Sequence, residues 1–277
     1  MIPKTPQINF GSIKGIAKVN SNDKSGKPID IPDGEKLTIS GNKDQIRLSN
    51  DPSRAYAMVQ INNVDNKSEL ELKDEANINI DTIKNLGKVS LYNNSKADIN
   101  EAQNKGEIEQ FDNSYSSTKN INKSALSLND KAASDINLLS SSDVLLDSES
   151  ALNLNKMNIK PGEKSSIIQW KNSKSDIKEI NSSLEPIDRS SLQDLSMIAT
   201  YNNSETNIGN IKDVILYQGN NSKSRVSEAE KNSYIHLVDK SQSSIKCAHA
   251  GSNIKAQNGT KLEITEDKRS WIDKMFS

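Results

Sequence analysis

The 277 residues carry 36 Lys and Arg against 37 Asp and Glu, a net charge of -1 at pH 7, and the two signs are interspersed along the chain. No basic stripe is present that would follow a phosphate backbone, so nucleic-acid binding is not expected. The single cysteine, Cys247, excludes an intrachain disulfide and a CxxC zinc or redox site. Aromatic residues make up only 4% of the chain and the mean hydropathy is -0.72, so any ordered core must be thin.

Residues 1–34 are rich in proline and are predicted to form an irregular segment that covers the first turn of the fold as a cap. They contain no run of seven apolar residues, which argues against a Sec signal peptide and leaves a cytoplasmic location or export by a non-Sec route. No stretch approaches the roughly 20 apolar residues of a membrane span. The first strand candidates follow at residues 37–39 and 46–48.

A repeat of about nineteen residues runs through the middle of the chain. In each unit a small residue stands two places before an aliphatic one, which defines a first apolar position. The aliphatic members are Leu70, Val89, Ile108, Leu126 and Val144. A regular apolar position in an otherwise polar chain indicates stacked units with a narrow core rather than disorder.

Two further positions recur beside the first. The second is predicted as Val59, Ile78, Ile99, Thr118, Ile136 and Leu152, each two places after a small residue: Ala57, Ala76, Ala97, Ser116, Ser134 and Ser150. The third comprises Val64, Ile83, Ala102, Ile121, Leu139 and Met157. Each unit thus has two short alternating pieces, whose period of two is that of a β-strand with one apolar face.

These pieces lie too close together for crossover helices, which need about a dozen residues. We therefore predict an all-β fold, a single-chain parallel β-solenoid of about eleven rungs of 18–19 residues with short end caps. Polar turns join the strands, and Asn66, Asn85, Asn104 and Asn122 recur at one corner. Their side chains are predicted to form a structural ladder with amide-to-amide bonds between rungs.

The unit returns after Met157 in copies that begin at Trp170, Tyr201 and Asn221, with a looser copy from Ser243. The solenoid is therefore predicted over residues 35–265, with loop insertions near 158–164 and 181–195, which contain Pro161 and Pro186. Such loops on one flank are a usual binding surface of solenoids, here for a protein or glycan partner.

Residues 266–277 are predicted to form an amphipathic helix, because Trp271, Ile272, Met275 and Phe276 fall on one helical face. The helix is interpreted as a cap for the last rung, since exposed β edges need cover. The alternative is a segment that docks on a partner or a membrane surface.

The period and the residue types at its positions resemble right-handed parallel β-solenoids, namely the haemagglutinin-type repeats of bacterial adhesins and, more distantly, bactofilin-like repeats. The resemblance spans about Leu37 to Ile264 and implies a structural or binding role. The abundance of Lys, Asn and Ile suggests an AT-rich genome, in agreement with a bacterial or phage source. The calcium-binding Gly-Gly-x-Gly-x-Asp signature is not present in the sequence.

Few residues are candidates for chemistry. His236 is predicted on the outside of a strand, and Cys247 is predicted to point inward with Ile245, which argues against a reactive pair with His249. Glu69 and Glu71, with Glu107 and Glu109 two rungs further on, lie at a separation of roughly 10 Å that would suit an inverting glycosidase. No catalytic, cofactor-binding or metal site is assigned, and no cofactor is expected.

The sequence therefore predicts a non-catalytic bacterial structural or interaction module that presents a solenoid surface, as adhesins, scaffolds and some effectors do. Two alternatives stay open: a carbohydrate-active β-helix enzyme of the lyase or hydrolase type, and a filament subunit that polymerises end to end. Whether the chain is an enzyme is left undecided, with the non-catalytic interpretation preferred.

Overall fold

The computed structural model describes residues 29–30, 36–41, 59–74, 76–182, 195–271 and 274. The chain divides into two compact units, Met1–Ser134 and Asp135–Ser277. The strands before the boundary are β1 Ile29–Asp30, β2 Lys36–Gly41, β3 Val59–Val64, β4 Glu69–Asp74, β5 Asn77–Ile83, β6 Lys88–Leu91, β7 Lys96–Gln103, β8 Glu107–Gln110, β9 Tyr115–Asn122 and β10 Ala125–Leu128. β11, Ala133–Ser140, includes the boundary.

The strands of the second unit continue the alternation of longer and shorter pieces. They are β12 Asp143–Leu146, β13 Ala151–Ile159, β14 Ser166–Gln169, β15 Lys174–Ser182, β16 Ser196–Thr200, β17 Glu205–Ile211, β18 Val214–Gln218, β19 Lys223–Ala229, β20 Tyr234–Leu237, β21 Gln242–Ala248, β22 Asn253–Ala256 and β23 Lys261–Asp267. Near the C-terminus, Lys274 N donates a helical hydrogen bond of 3.1 Å to Ser270 O.

Odd-numbered strands pair with odd-numbered strands and even with even, as parallel neighbours, and so build an odd sheet and an even sheet. This is the parallel β-solenoid that the sequence predicts, with about 10 turns. Within a turn the two sheets face each other across the core. In the second unit, for example, Ser224 Oγ of β19 donates to Gln218 Oε1 of β18 at 2.8 Å.

The first apolar position forms a buried column on the even sheet, as predicted. In the first unit, Leu70 pairs with Val89, Val89 with Ile108 and Ile108 with Leu126. In the second unit, the column begins at Val144 and runs through Ile167, Ile198, Leu216, Ile235 and Ile254. All of these side chains are at most 1% exposed, so this column is the continuous core of each unit.

The predicted second position is wrong in register at Val59, Ala76 and Ile78, because Val59 pairs with Ile78 but neither lies in the column of Ile99. Ile78 pairs with Ala97, and Ile80 with Ile99, so Ala76 lies outside the strand column and occupies the preceding corner. Ser150 and Leu152 are displaced in the same way, because Leu152 pairs with Ser175. The repeats were misaligned here because small residues occupy both the corner and the first inward position of the strand. Only the hydrogen-bond register shows which of these two positions a given small residue holds.

The third position is confirmed where its register is known. Val64, Ile83, Ala102 and Ile121 pair in succession in the first unit, and Met157 pairs with Ile180 in the second. The predicted copies after Met157 are confirmed as well. Ser95 N donates to Tyr92 O at 3.1 Å, and the equivalent bonds close the turns at Trp170 and Tyr201.

The corners are built from polar residues in left-handed conformation, which Asn and Asp tolerate better than most residues. Asn85 has a φ of 50° and Asn104 a φ of 51°. At Asn85 the predicted amide-to-amide bond between turns is wrong, because the Asn85 amide donates to Asp65 Oδ1 at 2.8 Å, and backbone bonds such as Asn85 N to Asn104 O also join the turns. Amide-to-amide bonds occur elsewhere, from Asn220 to Asn202 at 3.0 Å.

Several predicted segments lie wholly or partly outside the described residues. This holds for the strand at 46–48, for Pro186 and for most of the N-terminal segment. Residues 158 and 159 of the first predicted insertion extend β13 and pair with Asn181 and Ser182 of β15. Trp271, in the predicted C-terminal helix, has a side chain that is 70% exposed. The domain limits and the capping role of both ends stay predictions.

Candidate interaction surface

The even sheet of the second unit presents an apolar outer face. Outward positions on β14, β16, β18 and β20 hold mainly aliphatic and aromatic residues, and Trp170 and Tyr201 follow β14 and β16 at the adjoining corner. We call this set the aromatic face: Ile168, Trp170, Met197, Ala199, Tyr201, Ile215, Tyr217, Tyr234 and His236. Except for the buried Ala199, these side chains are half-buried or exposed, and Trp170 is 36% exposed.

The register of the strands brings these side chains together from four turns. Met197 pairs with Ile215 and Ile215 with Tyr234, while Ala199 pairs with Tyr217 and Tyr217 with His236. Side chains at paired positions on one face of a sheet are in contact range, so two apolar rows lie side by side. Residues far apart in the chain thereby form one continuous surface.

The rings of this face contact one another in series. Trp170 and Tyr201 are stacked with centroids 4.5 Å apart and planes at 18°, and Tyr201 meets Tyr217 at 5.7 Å and 46°. Tyr217 meets His236 edge-on at 5.5 Å and 90°. Both offset-stacked and edge-to-face pairs are favourable arrangements worth about 0.5–1.5 kcal/mol beyond burial. The series therefore also stabilises the solenoid.

Burial affects the one phenol of the series that lies between two aromatic rings. Desolvation, with a smaller contribution from the neighbouring Tyr217, raises the pKa of Tyr201 above its ordinary value. The Tyr201 hydroxyl thus stays protonated and neutral at physiological pH. No ionised group is introduced into the aromatic face by this residue.

The odd sheet of the same unit is polar on its outer face. Its outward residues include Glu205, Asn207, Lys223 and Arg225, and an open groove of about 260 Å³ lies over β17, β19, β21 and β23. Lys223 Nζ lies 3.9 Å from Glu205 Oε1. Side chains of both charge signs line this groove, so the two outer faces of the unit differ in chemistry: one is apolar and the other is polar.

The even sheet of the first unit is charged on its outer face. Glu71 pairs with Ser90 and Ser90 with Glu109, which confirms that the two carboxylates lie two turns apart in one column. Glu71 Oε1 accepts a hydrogen bond from Lys36 Nζ at 2.5 Å, and Glu109 Oε1 lies 2.8 Å from Lys88 Nζ. Each carboxylate is therefore engaged by a lysine of a neighbouring turn.

The electrostatics of Glu71 oppose a role as a general acid. Desolvation acts to raise its pKa, but hydrogen bonds from Lys36 and Lys73 prevail and hold the pKa below the ordinary value. A general acid needs a raised pKa so that it is protonated near neutral pH. Glu71 is instead a stable carboxylate in an ion-pair network.

The histidines and the cysteine lie apart from this network. His236 is on the outside of β20, as predicted, but it is half-buried against Tyr217 rather than freely solvated. Cys247 is buried, as predicted, at 7% exposure, but the predicted orientation is wrong. It pairs with the exposed Glu228 and Glu266, whereas Ala248 occupies the inward position, because two outward residues separate the last two inward positions of these strands, as between Val226 and Ala229 in β19.

Sequence reasoning assigned binding to the loops around Pro161 and Pro186 and missed the aromatic face. A signal was present: Ile215 and Tyr217 alternate with Val214, Leu216 and Gln218, so both faces of β18 carry apolar residues. A strand that is apolar on both faces is covered or binds something on its outer side.

Among the described residues, no group of three or more His, Cys, Asp and Glu side chains is placed to hold a metal ion. In the same part of the chain, no helix has the length and apolar character to cross a membrane. The fold and its surfaces define a class, a parallel β-solenoid with chemically distinct faces. No protein-family model matches the chain, and no curated protein or solved structure matches it.

Proposed function

We propose that this chain is a non-catalytic bacterial interaction module that binds a protein partner across the aromatic face of its second unit. The observation that carries the proposal is the contrast between the two sheets of that unit. Outward positions of the odd sheet are polar, whereas those of the even sheet gather Trp, Tyr, Ile and Met. A contiguous apolar patch with a polar surround is typical of a protein interaction site.

The ring geometry favours a protein over a glycan. A sugar stacks on the open face of an aromatic ring, but Tyr201 has an aromatic neighbour at each side, Trp170 and Tyr217. Beside the rings lie Met197 and Ile215, aliphatic side chains that contribute to protein interfaces through shape and desolvation. The surface is therefore suited to an apolar patch of another protein, as in the adhesin, scaffold or effector roles that the sequence suggests.

The charged face of the first unit supports a non-catalytic role. Glu71 and Glu109, two of the four carboxylates of the enzyme alternative, are each paired with a lysine, and the pKa of Glu71 is lowered rather than raised. An inverting glycosidase needs one carboxyl group that is protonated at its working pH. The ion pairs instead connect successive turns.

Site-specific photo-crosslinking in cells that express the protein tests the proposal. A benzophenone amino acid replaces Tyr217 on the aromatic face or, as the control, Arg225 on the exposed polar face of the same unit. We expect a discrete adduct with a different protein from position 217 and none from position 225. Mass spectrometry of the adduct then identifies the partner.

Three results would contradict the proposal. Equal adducts from both positions would show non-selective contact, and an adduct with a second copy of this chain would show self-association instead of partner binding. Binding of the purified protein to an array of neutral and acidic glycans, lost in a Trp170→Ala variant that keeps its circular dichroism spectrum, would favour a glycan-binding face.

A further inference from the structure

The corner between β22 and β23 carries the one Asn-Gly dipeptide of the chain, Asn258-Gly259. Thr260 N donates to Gln257 O at 3.2 Å and closes this corner as a β-turn with the dipeptide at its centre. Both central residues are exposed. Gly259 has a φ of 87°, and a Cβ atom added to it would have no atom within 4 Å. The space around Gly259 is therefore open.

The backbone N–H of Gly259 has no acceptor among the residues that the structure describes. At the equivalent position of earlier corners this group is engaged. Asn203 N donates to Asn220 O at 3.1 Å, and Asn221 N donates to Asp239 O at 3.0 Å. Each acceptor belongs to the following turn, whereas β23 is the last described strand of its sheet. The last corner thus lacks the hydrogen bond that holds the earlier ones.

The side-chain amide of Asn258 is also unengaged within the described part of the chain. In an earlier corner, by contrast, the Asn220 amide donates to Asn202 Oδ1 at 3.0 Å. A side chain without such a bond is free to rotate about its χ angles. The carboxamide carbon of Asn258 can therefore approach the backbone nitrogen of Gly259.

A backbone nitrogen can attack the carboxamide of the asparagine that precedes it. The Gly259 nitrogen forms a bond to Cγ of Asn258, the Cγ–Nδ2 bond breaks, and the proton of the attacking nitrogen leaves with the amide as ammonia. Water then adds across either C–N bond of the resulting succinimide ring, which leaves aspartate or isoaspartate at position 258. A hydrogen-bonded N–H or a bulky following side chain opposes the first step, because the nitrogen must lose its proton and reach Cγ.

We propose that Asn258 is a site of spontaneous deamidation, with water as the co-reactant. Glycine supplies an unhindered neighbour, the unbonded N–H supplies the nucleophile, and the exposed turn admits water. The interior corner at Asn202 and Asn203 has a side chain on the following residue and an engaged N–H. The position in the last turn thereby selects Asn258. This inference does not depend on the aromatic face.

Deamidation changes both the charge and the covalent path of this corner. A carboxylate replaces a neutral amide in a chain whose net charge is -1. In the isoaspartate product the main chain runs through Cβ and Cγ and is one atom longer, which disturbs the bond from Thr260 N to Gln257 O. Within the described residues, β23 pairs with β21 alone. Its pairing should therefore loosen as the modified form accumulates.

Peptide mapping by mass spectrometry during incubation of the purified full chain at mildly alkaline pH tests the site. We expect the replacement of ammonia by water at Asn258 to be at least tenfold faster than at Asn202, Asn203 or Asn220. Isoaspartyl methyltransferase should label the same peptide. Gly259→Ala should slow the reaction at least fivefold, and a higher pH should accelerate it, because base removes the proton of the attacking nitrogen.

Asn203→Gly is the matched control for the role of the last turn. It gives Asn202 a following glycine at a position whose φ is 62° and whose N–H donates to Asn220 O. In a variant that keeps its circular dichroism spectrum, Asn202 should deamidate at least tenfold more slowly than Asn258, and in denaturing urea the two rates should converge. Equal rates in the folded variant would overturn the selection by the last turn.

The parent protein carries the test if Asn203→Gly does not fold. Asn258 should then react at nearly the same rate in the folded protein as in urea, since nothing in the described corner holds it back. Strong protection of Asn258 in the folded protein, or deamidation spread evenly over the asparagines of the corners, would overturn the proposal.

Discussion

Corner residues set how closely the turns can stack. Asn85 and Leu86 are both in left-handed conformation, with φ of 50° and 68°, and Gly87 follows them at the point where the chain enters β6. A Cβ atom on Gly87 would lie 2.1 Å from the Val64 carbonyl oxygen of the turn before. The glycine is thus required by the approach of one backbone to the next, not by its own dihedral angles.

Gly87→Ala should therefore destabilise the protein by about 2 kcal/mol or more, because the backbone of two turns must separate. Gly162→Ala is the matched control: its φ is 74°, but no atom lies within 4 Å of the added methyl group. We expect it to cost only about 1 kcal/mol from the left-handed conformation. Urea unfolding followed by circular dichroism measures both changes, and equal costs would contradict the steric explanation.

The ion pairs of Glu71 predict a pH dependence. Because the folded pKa of Glu71 is lowered, its contribution is present above the unfolded value of 4.5 and is lost as the pH falls through the folded pKa. The hydrogen bond that Lys36 donates to Glu71 raises the pKa of Lys36, so that group's contribution is present below 10.5 and is lost as the pH rises through the folded pKa. The pair therefore stabilises the fold between about pH 5 and pH 10.

Glu71→Gln should reduce the free energy of unfolding by about 1 kcal/mol or less at pH 7, since both lysines are more than 40% exposed and solvent screens them. The difference from the parent should shrink toward pH 3. Asp98→Asn, an exposed carboxylate on the odd sheet, serves as the control and should show no such trend. A difference that persists unchanged at pH 3 would mean that packing, rather than charge, is lost.

At the scale of the strands, the core is not uniformly apolar. In the second unit, the inward column that begins with Leu146 continues through Gln169, Thr200 and Gln218, all fully buried. Gln218 accepts a hydrogen bond from Ser224. Both amide atoms of Gln169 lack a protein partner. An unsatisfied buried amide costs about 1–3 kcal/mol unless ordered water reaches it.

Gln169→Leu should consequently raise the free energy of unfolding by about 1 kcal/mol or more, since leucine already occupies the paired position at Leu146. Gln218→Leu is the comparison variant, and its gain should be smaller because it removes an existing hydrogen bond. Chemical denaturation of both variants measures which of the two gains in the free energy of unfolding is larger. A destabilised Gln169→Leu protein would indicate that the amide binds internal water.

At the scale of the whole molecule, each turn is stabilised mainly by the turn before it and the turn after it. Stability in such arrays is close to a sum over units and their contacts with nearest neighbours. β18 and β20 have neighbours on both sides, whereas, among the residues that the structure describes, β22 and β23 are paired on one side only. Local opening should therefore start at the last turn.

Hydrogen exchange with mass spectrometry should show amides of β22 and β23 exchanging much faster than those of β18 and β20 at low protein concentration. Equal protection of the two pairs of strands would contradict this unequal stability.

The fold and its core were largely predictable, whereas the candidate site was not. The period of about nineteen residues and the aliphatic residues from Leu70 to Val144 predict the buried column correctly, because burial of one face imposes the alternation that can be seen in the chain. The second position was misaligned at Ala76 because small side chains satisfy both the corner and the strand. The orientation of Cys247 was mispredicted because strict alternation was continued through the end of β21, although the third apolar position follows the preceding inward residue by three places, as Ile83 follows Ile80.

The sequence by itself determined a parallel β-solenoid. Its short alternating segments, joined by Asn-rich turns, can satisfy their backbone hydrogen bonds by pairing with the equivalent segments of the next turn. Only the tertiary structure decided which residues of different turns meet. It assembled Trp170, Tyr201 and Tyr217 into one apolar face, engaged Glu71 with Lys36, and left Leu262 and Ile264 uncovered at the last turn. The physical reason is that outward and terminal positions contribute little to the core, so their roles depend on register between turns rather than on any local pattern.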